Sequence, residues 1–158
     1  MQRFDYTARD VHDTDRLGRA LAAWLPDTVT VALEGTLGAG KTRLVQAIAA
    51  ASGVAADSVT SPTFVLCQPY RGARQLYHLD AYRIKDLDEF LELGVEEYFE
   101  GPGITLIEWA ERVAACLPEE RIEVGIVITG ETQRLFQLQA FGSTCEQSLA
   151  RIAEALES

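Results

Sequence analysis

Positive charge is scarce in this sequence. Against 24 Asp and Glu stand 14 Lys and Arg, a formal net charge of −10 over 158 residues. Such a surface repels nucleic acid and anionic lipid, so any RNA in the protein's pathway must be held by a partner. Long apolar runs are missing too. No stretch reaches the roughly 20 residues that a bilayer-spanning helix needs. The opening Met1-Gln2-Arg3-Phe4-Asp5-Tyr6 lacks the apolar core of a signal peptide. These absences point to a cytoplasmic protein with no membrane partner. Cysteine is sparse: Cys67, Cys116 and Cys145 lie far apart and form no C-x-x-C. The two histidines, His12 and His78, complete no metal-ligand spacing. Reduced, mostly buried thiols and no structural zinc are expected. Linkers, repeats and low-complexity segments are also lacking. Residues 1–158 therefore read as one domain, long enough for a proper core.

One string dominates what is present. Gly35-Thr36-Leu37-Gly38-Ala39-Gly40-Lys41-Thr42 spells G-x-x-x-x-G-K-T, a phosphate-binding loop. A polyphosphate needs many donors at close range. Glycines let the backbone curl so that successive N–H groups point inward, and the helix that follows adds its own unpaired N–H groups and dipole. Lys41 supplies a charge for the β- and γ-phosphates, and Thr42 a hydroxyl for Mg²⁺. The context fits. Thr28 to Leu33 reads as a buried strand entering the loop, and Leu44, Val45, Ile48 and Ala49 recur at helical spacing after it.

The rest of the chain reads as an α/β domain. Phe4 to Thr7 suits an edge strand. Asp10 caps a helix whose Leu17, Ala20, Leu21, Trp24 and Leu25 form one apolar face. Phe64–Tyr70 and Gln75–Leu79 read as strands joined by the turn Arg71-Gly72-Ala73-Arg74. Phe90, Leu91 and Leu93 mark a short acidic helix stopped by Gly94. Gly103–Ile107 is an apolar strand leading to Glu108, and Ala110–Leu117 a helix stopped by Pro118. Ile122–Ile128 and Phe136–Ala140 alternate as strands about the hairpin Thr129–Gln133. A final helix opens near Ser143-Thr144-Cys145-Glu146, with Leu149, Ile152, Ala153 and Leu156 buried. The expected architecture is three-layered: a mixed sheet with a parallel centre and antiparallel hairpins, and helices on both faces.

Hydrolysis needs more than the loop. A carboxylate must complete the Mg²⁺ site, and a further group must position water. Glu108, at the end of an apolar strand, is the metal-side candidate; the other reading is an acid that merely ends a strand. Asp80 ends the strand Tyr77-His78-Leu79, where it either faces the γ-phosphate or serves as a turn residue. His78 reads as a packed strand residue, Arg83 as a phosphate or partner contact or a surface ion pair, and Trp109 as core packing beside the site.

Taken together, Gly35 to Thr42, Ser61-Pro62-Thr63-Phe64, His78-Leu79-Asp80-Ala81-Tyr82-Arg83, Leu93-Gly94 and Glu108-Trp109 resemble the TsaE (YjeE) family. The likeness covers nearly the whole chain. It implies a P-loop NTPase fold, and a small ATPase required for threonylcarbamoyladenosine modification of tRNA. It also implies partners, TsaB and TsaD, in whose company weak ATP hydrolysis rises. By the same resemblance Thr42 and Glu108 are Mg²⁺ ligands. Gly38, Ala39, Gly40, Lys41 and Thr42, with Arg43 beside them, hold ATP; Asp80 and Arg134 approach it. Asp80, Lys41 and Glu108 form the catalytic set, while the 61–64 and 78–83 loops respond to nucleotide state. Two positions depart from the family pattern: Thr36 stands where many members carry Asp, and Ala110 where Pro is common.

Other functions remain to be weighed. A small-molecule kinase needs an arginine-bearing lid, but Arg71 and Arg74 sit in a tight turn. A GTPase would carry N/T-K-x-D and a D-x-x-G after the Ile104–Ile107 strand, and neither is present. A nucleotide-gated scaffold is motivated by the acidic run Asp86, Asp88, Glu89, Glu92, Glu96, Glu97 and Glu100. That run is either a solvated helix face or a docking surface for a basic partner.

Overall fold

The computed structural model describes residues 1–36, 38–55, 58–59 and 67–157. The element order is β1 (Gln2–Ala8), α1 (Val11–Trp24), β2 (Thr28–Gly35), α2 (Lys41–Ala51), β3 (Cys67–Arg71), β4 (Gln75–Asp80), α3 (Leu87–Glu92), α4 (Val95–Glu100), β5 (Gly103–Glu108), a 3-10 segment (Ala110–Cys116), β6 (Arg121–Ile128), β7 (Arg134–Phe141) and α5 (Ser143–Glu157). Among the described residues seven strands form one sheet in the order β1-β7-β6-β2-β5-β4-β3. The centre is parallel: β2 pairs with β5 and with β6, and β4 pairs with β5. Hairpins β3–β4 and β6–β7 extend it antiparallel, and β1 closes one edge against β7.

Strand alternation divides the interior in two. Val31 and Leu33 of β2, Ile104 and Leu106 of β5 and Val124 of β6 face α1, α2 and α5. Ala32, Ile107 and Leu79 point the other way, onto Phe90 of α3, Val95 of α4 and Val113 of the 3-10 segment. Helices thus cover both faces, as the pattern predicts. On the first face the helices come very close. A Cβ built on Gly18 of α1 would stand 2.5 Å from the Cβ of Ala47 in α2.

Local chemistry sets the element ends. Asp10 caps α1, its carboxylate accepting the Asp13 N–H at 3.1 Å. α2 ends at Ser52, and Gly53 follows in the left-handed region with φ +86°. The β3–β4 turn is pinned by Arg74, which donates to the carbonyls of Ala22, Leu25 and Pro26 at the end of α1. Cys67, Cys116 and Cys145 are free thiols, and burial pushes that of Cys145 up to about 11. No helix among the described residues is long and apolar enough to cross a membrane.

Three expectations need correction. The acidic stretch holds two helices, because Gly94 adopts φ +75° and Val95 starts a second one whose Val95 side chain is buried. Residues 110–116 form 3-10 turns with a kink at Val113 (φ −125°) in place of an α-helix. In α5 the buried stripe is Cys145, Ser148, Leu149, Ile152 and Leu156, with Ala153 only half-buried. The segment Ser61–Phe64, and the strand expected to start at Phe64, lie outside the described residues up to Cys67.

Candidate functional site

Register brings the candidate residues together. In the parallel centre Leu33 of β2 is level with Glu108 of β5, and Glu108 with Asp80 of β4. All three stand at the carboxyl ends of their strands, the edge where open α/β sheets bind ligands. Alternation turns this row to the α2 side, the side of Leu106 and Val31. β2 leads into the glycine loop, where Gly38 and Gly40 have φ of +80° and +117°. A side chain at either would be strained, and the loop could not wrap as it does. Gly40 is the N-cap of α2 and offers no side-chain cap, so the first amides of α2 are not satisfied by a capping side chain.

Lys41, the first residue of α2, is buried and folded back on the loop. Its Nζ donates to the carbonyls of Gly35 at 2.5 Å and Thr36 at 3.1 Å. The ammonium lies 3.8 Å from the centroid of the Trp109 ring. Trp109 reaches it because the chain turns sharply after Glu108. Trp109 holds φ +60° and ψ +38°, the left-handed region, rare for a bulky side chain. Its ring meets Tyr82 at 4.9 Å, and the Arg112 guanidinium lies over Tyr82 at 5.1 Å. Trp109 is thus part of the site and more than core packing. Burial lowers the Lys41 pKa, opposed by the charges of Glu108, Glu111 and Asp80.

Thr42 and Glu108 touch. The Thr42 hydroxyl donates to the Glu108 carboxylate, 3.0 Å from Oε1 and 2.9 Å from Oε2. Two cis oxygens on an octahedral magnesium with bonds of 2.0–2.1 Å stand about 2.9 Å apart. The spacing of this pair therefore also fits two ligands of one Mg²⁺. His78, fully buried on β4, places Nε2 2.5 Å from Glu108 Oε2. Sequence reasoning treated His78 as packing, because the contact joins two strands 30 residues apart. Asp80 is level with Glu108 in the sheet; its Oδ1 accepts the Tyr82 N–H at 2.9 Å and fixes the turn into 81–83. Burial raises the Asp80 pKa. The Tyr82 N–H works against this, and the Glu108 charge adds to it.

A cleft of about 380 Å³ opens beside the loop, lined by Gly38, Ala39, Gly40, Arg43 and Arg134 together with Asp10, Val11 and Thr14 of the α1 start and Glu131, Thr132 and Phe136 of the last hairpin. Arg134 is held here. Its Nε donates to the Ala39 carbonyl at 3.0 Å and its Nη1 to Gly130 and Gln133. Arg43 pairs with Asp15 of α1 at 2.7 Å. The residues from α1 were missed at the sequence level. Their only signal was a capping aspartate, which looks the same at any helix start.

Strand, glycine loop and helix, with acids at the carboxyl ends of β5 and of β4 beyond it, define a P-loop fold. The chain matches, over residues 8–136, the family model described as threonylcarbamoyl adenosine biosynthesis protein TsaE. Among curated relatives, the TsaE protein of Treponema pallidum (strain Nichols) is 38% identical, covering 80% of this chain and 93% of its own. That of Bacillus subtilis (strain 168) is 35% identical over 92% and 91%. The crystal structure of Bacillus subtilis YdiB superposes with a TM-score of 0.82 at 29% identity, covering 97% of this chain and 95% of that one. The chain belongs to the TsaE family, which takes part in the biosynthesis of threonylcarbamoyladenosine in tRNA.

Proposed function

We propose that the chain is a Mg²⁺-dependent ATP hydrolase whose cycle drives its partners, the TsaB and TsaD proteins, in modifying tRNA. The observation that carries this reading is the Thr42–Glu108 contact at 2.9 and 3.0 Å beneath an uncapped glycine loop. A phosphate loop built only as a turn has no reason to hold a carboxylate against the hydroxyl that ends its motif.

In this reading residues 1–158 act as one cytoplasmic domain. Gly38 to Thr42 wrap the β- and γ-phosphates with backbone amides. The nucleoside lies in the adjoining cleft, between the start of α1 and Arg134. Thr42 and Glu108 hold Mg²⁺, which would neutralise charge on the phosphates. Lys41 leaves the Gly35 and Thr36 carbonyls and turns to the phosphate oxygens. Asp80, whose raised pKa makes it a better proton acceptor than an ordinary carboxylate, orients the attacking water. With 24 acidic against 14 basic residues, the protein meets tRNA only through its partners.

Phosphate release from ATP, measured with and without purified TsaB and TsaD, tests the proposal. Slow release alone and faster release with the partners is the expected result. Calorimetry that detects no heat for ATP or ADP at millimolar ligand with Mg²⁺ would overturn it.

A further inference from the structure

His78 stands out as a buried polar group for which the proposed cycle has no use. Its side chain is wholly buried. Nε2 lies 2.5 Å from Glu108 Oε2, and Nδ1 is buried with no hydrogen-bond partner among the described residues. Each observation constrains the other. An ionised carboxylate only accepts, so the ring nitrogen facing it must donate. A proton on Nδ1 would be a buried donor with no acceptor among the described residues, which is costlier than a bare lone pair. A neutral His78 ring therefore carries its proton on Nε2, aimed at Glu108.

The backbone makes this contact stiff. His78 is paired on both sides, with Gln68 of β3 and Leu106 of β5. It reaches Glu108 along the diagonal between neighbouring strands, two positions on from its own partner. The Glu108 carboxylate is consequently held at both ends. Thr42 lies against both oxygens, while His78 claims Oε2 alone.

We infer that His78 is a positioning residue: by occupying Oε2 it fixes the Glu108 carboxylate so that Oε1 is the oxygen left to face the metal, making Glu108 a one-oxygen ligand. The inference rests on the proposed Mg²⁺–nucleotide site. Outer partners of this kind tune metal affinity by about 10- to 100-fold in known sites. A packing histidine would act on stability and not on the metal.

The test measures ADP affinity by calorimetry in Mg²⁺ and in EDTA, and Mn²⁺ affinity of the ADP complex by electron paramagnetic resonance. It uses the wild type, His78→Leu and His78→Gln; the Gln amide nitrogen comes close to the position of Nε2. His78→Leu is expected to weaken Mn²⁺ binding by about tenfold or more and to leave ADP affinity in EDTA unchanged. His78→Gln is expected to recover most of the loss. Equal weakening with and without metal, or no weakening, overturns the inference while leaving the nucleotide site standing. A wild type that binds ADP with no metal dependence removes both. If His78→Leu does not fold, nitrogen-15 NMR of the wild-type histidines decides. An Nε2–H tautomer for His78 upholds the assignment and an Nδ1–H tautomer overturns it.

Discussion

The two faces of the sheet are built on different principles. One carries α1, α2 and α5, helices of 14, 11 and 15 residues, each with a continuous apolar stripe. The other carries α3 and α4, of six residues each, and the kinked 3-10 segment. Long helices bring packing that is cooperative with the whole fold. Pieces of one or two turns are held by a few side chains and open at lower free energy. The residues of the site divide along the same line. Thr42, Glu108 and His78 belong to the first face, whereas Trp109 packs with the second and still reaches Lys41. The site thus joins a rigid floor to a wall drawn from the weaker half.

Two phenylalanines offer the sharpest way to break this comparison, since each is 1% exposed. Phe136→Ala, on the long-helix face, should cost about 3–5 kcal/mol of global stability in urea unfolding. Phe90→Ala, on α3, should cost clearly less, and should instead speed hydrogen exchange of the α3 and α4 amides. Equal losses in the global transition would show the two faces to be one cooperative unit. Next in size is chemistry on the rigid floor. Glu108→Ala is expected to lower phosphate release by about 10²-fold or more, and to lower the melting temperature as well, because it leaves the buried His78 Nε2 without its partner; full turnover would remove Glu108 from the site.

Gly18→Ala sets two effects against each other. A mid-helix alanine ordinarily gains about 1 kcal/mol over glycine. Here the new methyl would meet the Ala47 Cβ at 2.5 Å and backbone atoms behind it, and overpacking costs about 1–3 kcal/mol. We expect a net loss, read as a lower urea midpoint; a gain would mean that α1 and α2 can part. The smallest effect belongs to Glu34 on β2. Burial raises its pKa, and Glu123 and Glu111 add to the shift. An acid whose folded pKa exceeds its unfolded value destabilises the fold when ionised, and the penalty fades as pH falls through the folded pKa. Glu34→Gln should therefore stabilise at pH 7, by an amount that vanishes below the unfolded value of about 4.3. Melting temperatures of both proteins across this range would reveal a gain with the wrong pH dependence.

Legibility from sequence followed the same division. Leu17, Ala20 and Leu21, or Leu149 and Ile152, announce their helices because the period repeats over several turns. Val95 to Glu100 gives barely one period, and its three glutamates conceal it. The 3-10 turns were read as a helix because apolar spacing does not encode where Trp109 will take a left-handed backbone. The loop, Glu108 and Asp80 were readable because each ends a strand within a few residues of its motif. The His78–Glu108 contact, and the approach of Asp10 and Thr14 to the loop, depend on which strands and helices lie side by side. No local pattern carries that information.

Glu108 also makes strand length more consequential than strand composition. Within β5 only every second residue looks toward α2, so an apolar exchange at Ile104 or Leu106 keeps the acid in place. Removing one residue between Gly103 and Glu108 would draw the carboxylate back to the place Ile107 now holds, toward Phe90 and Val113, and present Thr42 with the side chain now at Trp109. A protein altered in this way could remain folded and yet have no acid beneath its loop.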